Sequence, residues 1–214
     1  MTSDGGRPVP RRPVHFGPDD LEAHGGTRPG PAETTEMAHQ TAAILVGAGR
    51  AARDPEVTSR LVALVDDLGL STVADLWSSR PGRSLPGALW RLYALREWVR
   101  RNPEQASREY AAGIRFTDVA HAVAGIAEPP RPEEMQRVAD QILTGVFEGD
   151  LAVALERAAA FCAVTAAGRA ELAHDSDDLD PEGARGLTRT GAALLQTGED
   201  LRACARLWRA GDLD

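Results

Sequence analysis

Two Glu-x-x-His spacings, Glu36 with His39 and Glu171 with His174, are the residue pairs in this chain best suited to holding a metal. Three residues apart on a helix, a carboxylate and an imidazole share one face, the arrangement by which helical bundles present ligands to a di-metal centre. At about 100° per residue, however, the first pair lies opposite Met37, Ile44 and Ala48, and the second opposite Leu155, Ala158 and Cys162. Both pairs are expected in solvent, and no unpaired Glu on an apolar stripe offers a bridging carboxylate, so no metal is expected. The run Gly47-Ala48-Gly49-Arg50-Ala51-Ala52, with Asp66 downstream, has the GxGxxA form of a dinucleotide fingerprint. That fingerprint needs a strand before its glycines, whereas the apolar residues here repeat at helical spacing; no cofactor is expected.

Arg115 and His121 combine a fixed cation with a side chain that titrates near neutrality, which suits phosphodiester chemistry. The run Arg115-Phe116-Thr117-Asp118-Val119-Ala120-His121 resembles the R-x(4-6)-H motif of helical HEPN ribonucleases. The resemblance implies Arg115 and His121 acting together on an RNA phosphodiester, and it stands as one alternative function. The acidic connection from His174 to Glu182 lacks the central glycine and final glutamate of a calcium loop. Its carboxylates are expected to cap the helix that follows Pro181, where the helix dipole favours negative charge. No nucleophile elbow, P-loop or HExxH motif occurs.

Residues 77–110 carry a different chemistry, that of recognition. Trp77, Trp90, Tyr93, Trp98 and Tyr110 are five of the ten aromatic residues. From Arg80 to Tyr110 seven arginines stand against Glu97, Glu104 and Glu109, a local charge of +4 in a chain of net charge −8. Trp90, Arg91, Arg96, Arg100 and Arg101 are the candidate binding residues, because Trp and Arg are the types that anchor protein interfaces. The leading expectation is a non-catalytic regulatory or adaptor protein that binds a protein partner through this helix. A helix-turn-helix reading, with the same arginines on DNA phosphates, is the second alternative.

The elements that must position these residues are helices. Met37, Thr41, Ile44, Leu45 and Ala48 share one face of a helix over about 34–53; Asp54 and Pro55 open a second that runs to Gly69. A short third helix ends at Trp77. The fourth runs from Ser84 to about Arg101, with Leu85, Leu89, Leu92, Leu95 and Val99 inward, and Asn102-Pro103 opens a fifth that ends near Gly113. Thr117 opens a sixth, which Pro129, Pro130 and Pro132 terminate. Met135, Val138, Ala139, Ile142, Leu143, Val146 and Phe147 make the sharpest amphipathic stripe, and an alanine-rich helix from Leu151 to about His174 follows. In the last helix, Pro181 to about Ala210, Leu187, Gly191, Leu194, Gly198, Leu201, Ala205 and Trp208 alternate spacings of four and three. The small residues of this seam suit close approach to the Ala158/Cys162 face of the preceding helix in an antiparallel hairpin, with a homodimer through residues 187–208 as the competing arrangement.

The expected fold is therefore all-α, a bundle of eight or nine helices: residues 34–148 form a core and 151–210 a long hairpin packed on it. Residues 1–33, with six of the 14 prolines and six of the 21 glycines, are expected to be a disordered tail. At 43% apolar residues the chain can bury a substantial core, with alanine and leucine supplying the packing because only 5% is aromatic. All 24 basic residues are arginine, and the acidic balance opposes global attraction to nucleic acid or anionic lipid. Cys162 and Cys204 are too few for a disulfide framework. With no signal-like start and no long apolar segment apparent, a soluble cytoplasmic protein is expected.

Overall fold

A computed structural model describes residues 30–214, and the tail expectation for residues 1–29 lies outside them. Among the described residues the chain forms ten α-helices and no strand. They are α1 (Pro31–Ala52), α2 (Pro55–Val62), α3 (Leu64–Leu68), α4 (Leu70–Trp77), α5 (Leu85–Arg101), α6 (Pro103–Gly113), α7 (Asp118–Ala124), α8 (Pro132–Glu148), α9 (Leu151–Ser176) and α10 (Pro181–Ala210), with one 3-10 turn at Ile114–Phe116. The all-α expectation holds.

The local signals act as their chemistry requires. Asp54, Ser84, Asp150 and Asp180 cap α2, α5, α9 and α10 by accepting from first-turn backbone N–H groups. Proline occupies the first turn of α1, α2, α5, α6, α8 and α10, where its missing N–H costs nothing. All seven stripe residues of α8 are buried, and so are all five of α5.

Helix α9 is the axis of the bundle. It packs against α6, α7, α8 and α10 and buries fifteen of its 26 residues. By length and composition it is the one described helix apolar enough to cross a membrane, which corrects the expectation that no such segment exists; 72% of its most apolar window is already covered by protein. Helix α5 is a second axis, covered by α1, α4, α8 and the outer part of α10. The α9–α10 hairpin forms as expected. An added Cβ at Gly198 would come within 3.0 Å of the Ala159 carbonyl oxygen and 3.1 Å of the Cys162 Cβ, so the small seam residues face α9. The small residues of the seam, Gly191, Gly198 and Ala205, are thus buried within the chain.

Three expectations change. Helix α1 begins at Pro31, inside the expected tail. Its inward face is Ala38, Ala42, Val46 and Gly49, while Ile44 is 66% exposed and Met37 also faces out. Close packing selected the smaller side chains: a Cβ at Gly49 would meet Leu61 and Phe147 at 2.9 Å. The expected second helix is two helices, broken at Ala63, and Leu68 at its end is exposed.

Candidate functional site: a groove between two arginine-bearing helices

Trp90, Arg91, Ala94, Leu95 and Trp98 fall at i, i+1, i+4, i+5 and i+8, one stripe along α5. Thr190, Leu194 and Thr197 form the matching stripe on α10. Between them runs an open groove of about 570 Å³, closed at one end by Ser78 and at the other by Gln105 and Arg169. Its size lies within the roughly 300–1,000 Å³ of ordinary ligand sites.

The floor is built where α6 crosses α9. Gly113 and Gly168 bring the two backbones into direct contact; a Cβ on either would overlap a carbonyl oxygen of the other helix, Val164 for Gly113 and Glu109 for Gly168. This crossing sets Glu109, 1% exposed, beside Arg169. The Glu109 carboxylate accepts from Arg169 Nε at 2.7 Å and from Gln105 Nε2 at 2.8 Å, while Arg169 Nη1 donates to the Thr190 carbonyl at 3.2 Å. The guanidinium carbon lies 4.9 Å from the centre of the Trp98 ring. A buried charge paired with a buried carboxylate, bonded to a backbone carbonyl and faced by an aromatic ring is fixed in place, so Arg169 is a rigid part of the lining.

The rim at the Ser78 end is less balanced. Arg83 Nε and Arg91 Nη2 share one carboxylate, Asp200, at 3.1 and 3.6 Å. Arg91 Nη1 also donates to the Gly87 carbonyl at 3.0 Å. Arg80, outside the lining, donates to the hydroxyls of Thr35 on α1 and Ser79 at 2.5 and 2.8 Å.

The other side of α5 is the reverse case. Arg96 is buried and donates to Asp140 at 2.6 Å, with Asp66 at 3.5 Å; Arg100 pairs with Asp66 and Glu97, and Arg101 with Glu97 at 2.6 Å. The hydrogen bond from Arg100 to Asp66 raises the Arg100 pKa, so its charge is permanent. Of the five binding candidates, Trp90 and Arg91 line the groove, while Arg96, Arg100 and Arg101 fasten α5 to α3 and α8 or to itself. A recognition helix needs a projecting face, and α5 has ten of its 17 residues buried.

The remaining candidates are dispersed. Arg115 pairs with Glu171 and stacks on Phe116, 4.7 Å from its ring centre. His121 is held elsewhere: its Nε2 lies 3.0 Å from Glu128 and its Nδ1 3.1 Å from the Tyr110 hydroxyl. Burial raises the Tyr110 pKa and keeps the phenol protonated. No hydrogen bond or ion pair joins Arg115 to His121. Glu36 is exposed and accepts from Gln40; His39 is half-buried, against the expectation of solvent; His174 is exposed, and no cluster of three metal-ligating side chains occurs among the described residues. The Gly47–Gly49 run is helical and follows no strand. Burial pushes the Cys162 thiol up to about 12 and Cys204 up to about 11, so both stay protonated and unreactive near neutrality.

Arg169, Gln105, Thr197 and Asp200 were not singled out from sequence. A signal for the first existed: Arg169 lies seven residues beyond Cys162, on the apolar stripe of α9, where a charge demands a buried partner. Comparison with protein-family models, with curated proteins and with solved structures finds no match.

Proposed function

We propose that this chain is a non-catalytic adaptor or regulatory protein that binds a segment of another protein in the α5–α10 groove. One observation carries the reading: the Trp90–Arg91–Trp98 stripe, which concentrates the residue types that dominate interface energetics, lines an open groove over a rigid buried floor. The chemistry-bearing residues elsewhere support it, because Arg115 and His121 are each held by a separate carboxylate.

Affinity capture from a lysate with nuclease present, comparing wild type with Trp90→Ala, tests the reading. A stoichiometric protein recovered by wild type and lost at least tenfold with Trp90→Ala is the expected result. Equal recovery by both proteins, or retention of nucleic acid alone before nuclease treatment, overturns it. Unchanged far-ultraviolet circular dichroism and melting of the variant establish that the loss is local.

A further inference from the structure

The charge of the groove walls specifies what a partner segment must carry. From Arg80 to Arg101 there are six arginines and one acidic residue, Glu97. Along α10 there are five arginines (185, 189, 202, 206 and 209) against Glu182, Glu199 and Asp200. Both segments are thus net positive in a protein of net charge −8, and of these arginines Arg91 lines the groove. Carboxylates of the molecule itself neutralise the far side of α5, but at the Ser78 end of the groove Asp200 is, among the described residues, the single carboxylate in ion-pair contact with Arg83 and Arg91. Two guanidiniums that share one carboxylate retain an unmatched positive charge, which an incoming carboxylate can meet. Between this rim and Arg169 the lining is mostly apolar or aromatic, Trp90, Ala94, Leu95, Trp98 and Leu194, with Thr190 and Thr197 on the α10 wall. Trp90 to Trp98 spans eight residues of helix, on the order of 12 Å, the length of about two helical turns of a bound segment.

Resting on the adaptor reading above, we propose that the groove's partner is an acidic–apolar protein segment: a large aliphatic or aromatic side chain that inserts between Trp90 and Trp98, with one or two Asp or Glu within a helical turn of it that meet Arg83 and Arg91. The charges set orientation and speed of encounter, and the apolar anchor supplies most of the affinity. Binding therefore weakens with salt but survives it in part, unlike a purely electrostatic contact.

The test is selection of a displayed random 12-residue peptide library on the full chain, run in parallel on Trp90→Ala, followed by titration of the enriched peptide. Enriched sequences are expected to combine Asp or Glu with Leu, Phe or Trp. The winning peptide should bind at least tenfold more weakly when its acids become amides. Thr197→Glu, which places a negative charge on the groove wall without touching the core, should weaken binding about tenfold, and Thr197→Arg should strengthen it severalfold. Enrichment that depends on Trp90 but yields neutral or basic sequences overturns the acidic assignment and leaves the adaptor reading standing. Enrichment identical on wild type and Trp90→Ala removes the groove reading itself. A consensus matching Phe16-Gly17-Pro18-Asp19-Asp20-Leu21-Glu22 would make this chain its own occupant and overturn the assignment to a partner.

Discussion

The two sides of α5 carry the same kind of residue and put it to opposite uses. On the side facing α3 and α8, Arg96, Arg100 and Arg101 meet Asp66, Glu97 and Asp140, and the ledger of charge is balanced. On the side facing α10, Arg91, and Arg83 just before the helix, share one carboxylate, Asp200, among the described residues. An arginine is structural or available according to the carboxylates folded against it. Sequence position does not decide this: Arg91 and Arg96 are five residues apart on one helix.

The largest effects are expected where the groove floor is broken. Gly168→Ala drives a methyl group into the Glu109 carbonyl oxygen and must separate α6 from α9. Its cost should exceed the roughly 1–3 kcal/mol of ordinary overpacking, because backbone cannot turn aside, and urea denaturation measures it. Glu109→Ala leaves Arg169 buried and unpaired, with an expected loss of about 3–5 kcal/mol. Wild-type stability in that variant would show that the groove floor is not fixed by this pair.

On the balanced side, Arg96→Met should cost less, about 1.5–3 kcal/mol, because Asp66 keeps Arg100 and both Asp66 and Asp140 reach water. Arg101→Gln, at a side chain 66% exposed, should change stability by less than about 0.5 kcal/mol. If Arg101→Gln matched Arg96→Met in the same denaturation series, the distinction between the buried Arg96 and the exposed Arg101 would fail.

A smaller effect concerns pH. Burial raises the Cys162 and Cys204 pKa values above the ordinary 9.0, so both thiols favour the protonated, folded state. Their contribution is complete below the unfolded value and declines as pH rises above about 9, when the unfolded chain releases these protons more readily. Thermal melts from pH 8 to 10.5 should show that decline, and Cys162→Ala with Cys204→Ala should flatten it.

The α8 stripe and the α5 stripe were legible because Leu, Ile, Val and Phe recur there at helical spacing between clear caps and prolines. The inward face of α1 was not. An alanine-rich helix offers several faces of similar hydrophobicity, and what chose among them was the fit of Gly49 against Leu61 and Phe147. The break at Ala63 was equally hidden, since the apolar spacing continues through it. Half of the groove, the Trp90–Trp98 stripe, stood out from sequence through its residue types; the opposing stripe of α10 had no such mark.

The amino-acid sequence by itself determined the helical class, most helix ends and the pairing of α9 with α10, because period, capping and small seam residues act over a few turns of chain. Tertiary structure alone decided which arginines are spent on the fold and which line the groove. That outcome depends on carboxylates 30 to 117 residues away, Asp66 and Asp140 on one side of α5 and Asp200 on the other, and no local spacing encodes such a meeting.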